Sequence, residues 1–103
     1  MDRIAKLKEL LVEYPQDNFL QHALALEYIK LGNDTAARPL FEAILSRDEN
    51  YIGSYYHLAR LLDRNGQRKE ALKWYEKGIS RATATGDHHA LNELRSAYDE
   101  LSD

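Results

Sequence analysis

The chain superimposes on itself, without a gap, when it is shifted by 34 residues, and such a fixed period is the mark of a repeat architecture. The matched residues are identical or chemically equivalent: Leu24-Ala25 falls on Leu58-Ala59, Gly32 on Gly66, Ala37 on Ala71, Phe41 on Tyr75, Glu42 on Glu76, and Leu45 on Ile79. The offset predicts two repeats, residues 18–51 and 52–85.

The apolar spacing inside each repeat is helical. In the first repeat, steps of three and four residues place one set on the core face of a first helix: Leu20, Leu24, Tyr28 and Leu31. Asn18 and Gln21 have the spacing of a capping box, and Gly32 is suited to end the helix. A second helix should run from near Asp34 to about Arg47.

The second repeat follows the same plan, and no stretch alternates with period two as a strand would. Its core positions are Tyr55, Leu58, Ala59 and Leu62, then Ala71, Leu72, Tyr75 and Ile79. Small residues on the apolar face let two helices approach closely. We therefore expect Ala25, Ala37, Ala59 and Ala71 to lie at helix crossings.

These positions resemble the tetratricopeptide repeat family, whose 34-residue unit is a pair of antiparallel helices. The second repeat matches through Tyr55, Leu58-Ala59, Gly66, Ala71, Tyr75-Glu76 and Ile79; the first matches through Leu24-Ala25, Tyr28, Gly32, Ala37, Phe41-Glu42 and Leu45. The chain departs from the family at Gln21, where a large aromatic is favoured, and at Glu49 and Thr83, which replace the closing proline.

The flanks extend the array at both ends. Residues 1–17 carry Ile4, Leu7, Leu10 and Leu11 on one face, as the second helix of a preceding half repeat would. Residues 86–103 form a C-terminal capping helix behind a Thr83–Asp87 turn, with Asp87 as N-cap. The resemblance thus implies a single all-α domain over residues 1–103, a right-handed α-solenoid of about six helices. Pro39 should lie near a first helical turn, with a slight bend.

Composition sets limits on the functional class. The net charge is -3, the isoelectric point is about 5.8 and there is no cysteine. This composition offers no global basic field for nucleic acid, and no segment reaches the ~20 apolar residues of a membrane span. We expect a cytoplasmic protein with no nucleic-acid or membrane partner.

The family resemblance implies that the first helix of each repeat faces a concave groove. The first-helix residues left over from the core are Phe19, His22, Leu26, Ile29, Lys30, Tyr56, Arg60 and Arg64. Neighbouring exposed apolar groups mark binding surfaces, so we predict that these eight line a partner-binding groove. The alternative is that they pack against a neighbouring helix or the C-terminal cap.

Other chemistry has little support in the sequence. No histidine stands at a motif spacing to a serine or aspartate, so we expect no enzyme, no cofactor and no metal site. The family's clamp for terminal carboxylates is unmatched, because its places hold His22, Leu26 and His57.

Two functions stay open: a module that binds a partner protein or peptide in the groove, and a structural self-association module forming a homo-oligomer such as a homodimer. For the first, Lys30, Arg60 and Arg64, opposed by Asp63 alone, favour an acidic peptide with an apolar anchor. In the rival interpretation Asp63 or acids of the C-terminal helix hold the arginines in ion pairs.

The crossing alanines give a stability prediction. Replacing Ala71 with Leu should overpack a helix crossing and lower the free energy of unfolding by about 1–3 kcal/mol. Thermal unfolding followed by circular dichroism measures the effect, and an unchanged midpoint would show that the repeat register is wrong.

Overall fold

The computed structural model describes residues 2–103, which form six α-helices and no strand. The helices are α1 (Arg3–Glu13), α2 (Asn18–Lys30), α3 (Asp34–Arg47), α4 (Gly53–Arg64), α5 (Arg68–Thr85) and α6 (His88–Ser102). They form two compact units: the first ends at Arg47 with α3, and the second is Asp48–Asp103. The prediction of an all-α fold with about six helices is confirmed, while the repeat boundaries stay a prediction.

Side-chain caps begin four of the helices, because a short oxygen acceptor satisfies a backbone N–H that the first turn leaves unpaired. Asp2 caps α1, Asp17 caps α2, Asn33 caps α3 and Asp87 caps α6, each accepting from a backbone nitrogen two or three residues ahead at 2.9–3.2 Å. The N-cap predicted at Asp87 is confirmed.

The capping box predicted from Asn18 and Gln21 is wrong, because Asp17 is the cap of α2. The two side chains instead accept hydrogen bonds from one nitrogen of Arg47, at 2.8 Å for Asn18 Oδ1 and 2.6 Å for Gln21 Oε1. They therefore fasten the start of α2 to the end of α3.

Three of the helices, α2, α4 and α5, end just before a glycine with positive φ. Gly32 and Gly66 have φ of +74° and +79°, the left-handed conformation expected of a helix terminator. Gly86 also has φ +74° and ends α5, so the predicted turn over residues 83–87 is wrong. The helix continues through Thr85, and within its last turns the Thr83 and Thr85 hydroxyls donate to carbonyls four residues back, at 2.8 and 2.9 Å.

Pro39 lies inside α3, which begins at Asp34 as the sequence predicted. It is the sixth residue of the helix, just past the first turn. Its ring removes the N–H that would bond to the carbonyl of Thr35. Both residues are exposed, so water can reach the freed carbonyl.

The first unit is held by a core between α1, α2 and α3. Leu7, Ala23 and Leu24 are buried, and Ile4, Leu11, Leu20, Tyr28 and Leu40 pack against them. Leu31, predicted for this face, is 70 % exposed. That prediction is wrong because α2 ends at Lys30, so Leu31 is beyond the last helical turn.

The second unit packs α5 against both α4 and α6. Its fully buried side chains include Leu58, Leu62, Tyr75 and Leu94. In the chain as a whole, the four alanines expected at crossings have no exposed surface: Ala25, Ala37, Ala59 and Ala71.

Gly78 is a tighter contact that sequence reasoning missed. A Cβ added there would lie 2.8 Å from Tyr55 Cβ on α4 and 3.1 Å from Leu94 Cδ1 on α6. Real Cβ atoms essentially never show a contact as short as 2.8 Å, and few show one of 3.1 Å, so the glycine sets the distance between the three helices.

Gly78→Ala should therefore destabilise the protein by about 1–3 kcal/mol through overpacking, although the same change in an exposed helix stabilises by up to ~1 kcal/mol. Urea unfolding measures the difference. Ser80→Ala, at an exposed position on the same helix, is the matched control and should leave stability within about 0.5 kcal/mol of wild type. A Gly78→Ala variant as stable as wild type would contradict the close packing.

Candidate functional site

Four of the predicted site residues meet at one pocket in the first unit. Phe19, His22, Leu26 and Lys30 recur along one face of α2, and they line a cavity of about 340 Å³ with Arg3, Ala23 and Glu27. We call these seven residues the first-unit pocket. Ile29, also predicted, is half-buried on α2 and does not line it.

The apolar part of the first-unit pocket is Phe19 and Leu26. Phe19 is 69 % exposed, an unusual state for a large aromatic, whereas Leu26 is half-buried. His22 forms one wall, and its ring meets the Phe41 ring edge-on at 5.5 Å between centroids. Thus His22 has a packing role against the core as well as a place in the pocket.

The charged part of the pocket is organised by Glu27. Its side chain is only 17 % exposed, and its Oε2 lies 3.3 Å from Arg3 Nε and 3.1 Å from Lys30 Nζ. Two cations against one carboxylate leave the pocket with one net positive charge. The sequence did not single out Arg3, because it lies on α1, far along the chain from α2; the contact between the two helices brings it there.

The other three predicted residues lie on α4 in the second unit. Tyr56, Arg60 and Arg64 are four residues apart, as expected of one helix face. Arg60 Nη1 donates to Tyr56 Oη at 3.0 Å, and its guanidinium lies 5.6 Å from the Tyr56 ring centroid. Tyr56 and Arg60 therefore act as a pair, with the cation held over the aromatic ring.

A second cavity, of about 320 Å³, opens between α4 and α6. Its lining is Arg60, Asp63, Arg64, Tyr75, Ala97, Glu100 and Leu101, which we call the second-unit cleft. Tyr56 is not part of this lining. Glu100 is an acid of the C-terminal helix, which the rival interpretation placed near the arginines, so two arginines here share the cleft with two carboxylates.

The titratable neighbours add no charge to the second-unit cleft. Burial lowers the pKa of His57, the nearby Arg60 and Arg64 lower it further, and Glu93 only partly opposes them. The imidazole is therefore neutral at pH 7. Burial raises the pKa of Tyr75 to about 12, so its phenol stays protonated. The positive charge expected from Arg60 and Arg64 is thus offset in this unit.

Within residues 2–103, no group of three or more His, Cys, Asp or Glu side chains could hold a metal ion. None of the helices in this part of the chain has the length and apolar character needed to cross a membrane.

Comparisons with known proteins agree on the class of this helical repeat. A family model described as tetratricopeptide repeat matches residues 28–94. A tetratricopeptide repeat domain protein from Salinibacter ruber is similar both as a solution structure (37 % identity, 84 % of this chain and 88 % of that one, TM-score 0.80) and as a crystal structure (36 % identity, 84 % and 96 %, TM-score 0.80). The chain belongs to the tetratricopeptide repeat family.

More distant structures share the fold alone. A solution structure from Bordetella parapertussis has a TM-score of 0.86 at 24 % identity, over 99 % of this chain and 89 % of that one. The crystal structure of the MamA protein has a TM-score of 0.74 at 21 % identity, over 96 % of this chain and 56 % of that one. No curated protein matches the sequence.

Because Phe19 is exposed, replacing it should have little effect on folding stability. Phe19→Ser should change the free energy of unfolding by no more than about 0.5 kcal/mol, because it removes little packing. Leu24→Ala on the same helix, at a buried position, should cost about 2–5 kcal/mol. Chemical denaturation of both variants measures the contrast, and a loss of more than 1 kcal/mol in Phe19→Ser would assign Phe19 to the core.

Proposed function

We propose that this protein is an interaction module that binds a partner peptide or protein through the first-helix residues of its repeats. Tetratricopeptide repeat proteins generally mediate protein–protein interaction. The observation that carries the proposal here is Phe19, a large aromatic left 69 % exposed at the edge of a pocket. A docked apolar side chain would remove that surface from water, which is the main source of affinity in most protein association.

In the first unit the proposed binding residues are Phe19, His22, Leu26, Ile29 and Lys30, and in the second unit they are Tyr56, Arg60 and Arg64. The partner is a peptide with an apolar or aromatic anchor and acidic residues beside it. Apolar contacts would supply most of the affinity, and the cations would govern selectivity and association rate. We assign the module no catalytic role and a cytoplasmic location.

Self-association is the second candidate, and α1 carries the observation that favours it. Val12 is 85 % exposed and Tyr14, at the end of the same helix, is 56 % exposed. A second copy covering them would bury apolar surface. Size-exclusion chromatography with light scattering separates the candidates: a monomer over a wide concentration range favours the binding module, and a dimer favours self-association.

A displayed random-peptide library tests the binding module. Selected peptides should be enriched in acidic residues next to an apolar or aromatic residue. Tyr56→Ala should weaken their binding more than Arg64→Ala does, and added salt should erode mainly the arginine contribution. Lys69→Ala, at an exposed position on α5, is the control and should bind as wild type. Enrichment for basic peptides, or unchanged binding by both Phe19→Ala and Tyr56→Ala, would refute the proposal.

A further inference from the structure

We propose that the first-unit pocket is the anchor site of the module and takes an aromatic or large apolar side chain with a carboxylate directly beside it, with Arg3 supplying half of the binding charge. This inference rests on the proposed function and deepens it. It moves the acid selectivity from Arg60 and Arg64 to a pair of cations on α1 and α2.

The size and walls of the first-unit pocket suit an apolar side chain. About 340 Å³ lies within the range of ligand-binding clefts, and Phe19 and Leu26 supply apolar walls for a ring or a branched side chain. Ala23, only 8 % exposed, adds a small residue to the lining that takes up little of the space. An inserted aromatic ring would contact Phe19, which otherwise stays in water.

The two cations of the pocket, Arg3 and Lys30, carry donor groups besides those that contact Glu27. Glu27 Oε2 contacts Arg3 at Nε, and the guanidinium also carries two terminal nitrogens. Those two nitrogens form the fork that binds a carboxylate with two parallel hydrogen bonds. Lys30 uses one contact to Glu27, so its ammonium also retains donors.

Glu27 positions the two cations. A carboxylate this far from solvent holds both cations at the rim of the pocket, so the ligand need not order two long side chains itself. Because Glu27 neutralises only one of them, a single ligand carboxylate completes the charge balance. Glu27 is thus a positioning residue, and the anion would contact Arg3 and Lys30.

The second-unit cleft differs from the first-unit pocket in net charge. Arg60 and Arg64 share their cleft with Asp63 and Glu100, so that cleft has no net charge to attract an anion. His57 is neutral at pH 7 and adds none. The first-unit pocket combines an exposed apolar wall with unbalanced positive charge, and the second-unit cleft does not.

The test uses the full chain and a small probe that carries both features, 3-phenylpropionate, with its neutral amide as the matched ligand. Backbone amide NMR titration should give saturable shifts confined to α2 and the start of α1, with a Kd of about 1–10 mM. The amide should bind about two- to fivefold more weakly, because it lacks the charge.

Variants then assign the residues. Arg3→Gln and Lys30→Gln should each weaken 3-phenylpropionate about two- to fivefold and leave the amide unchanged, while Arg3→Lys should recover part of the loss. Phe19→Ala should weaken both probes. Lys69→Gln, at an exposed position on α5, is the matched control and should bind the acid as wild type does. A Glu27→Gln variant with unchanged acid affinity and an unchanged Arg3 effect would overturn its positioning role.

Three results would overturn the inference: no saturable shifts with the acid, equal affinity for acid and amide, or shifts centred on α4 and α6. Binding of the peptides selected from the random-peptide library distinguishes failure of this inference from failure of the proposed function. If Tyr56→Ala abolishes binding of selected peptides while Phe19→Ala and Arg3→Gln do not, the module stands and the anchor site lies elsewhere. If none of the variants affects them, the proposed function fails as well.

Discussion

Close approach between helix backbones is the constraint on which the rest of this structure depends. Four alanines have no exposed surface, and the backbone at Gly78 leaves no room for even a methyl group between α4 and α6. Residues this small let the helices approach until the larger side chains around them, such as Leu58 and Tyr75, fill the remaining space. The surface pockets are a consequence, because packed neighbours hold the helices whose outward faces carry the site residues.

The organisation of the two pockets follows from where charge is balanced. Glu27 is largely buried and contacts both cations of the first-unit pocket, whereas the second-unit cleft brings two arginines and two acids to one opening. Two surfaces built from the same repeat plan therefore differ in electrostatic character. In a protein with a net charge of -3, the local distribution of charge thus differs between the two openings.

Periodicity predicted the fold well because burial is a local pattern in helices. Leu24, Leu58, Tyr75 and their neighbours lie on the faces that their spacing assigned. The errors fall at helix ends: Asp17 rather than Asn18 is the cap of α2, and α5 continues through Thr85 to Gly86. Contacts between residues far apart in the sequence were also not predicted by periodicity. Neither the contact of Arg3 with Glu27 nor the place of Glu100 opposite the arginines follows from spacing along one helix.

The bridge from Arg47 to the start of α2 has a consequence for how the first unit opens. Arg47 closes a loop of about one repeat with hydrogen bonds to Asn18 and Gln21, so the two ends of the α2–α3 hairpin are tied together. Fraying of α3 from its C-terminus must break these bonds, and fraying of α2 from its N-terminus must break the same ones. The hairpin should therefore exchange its amide protons as one cooperative unit, a foldon, with its weakest point at the Gly32 turn rather than at its ends.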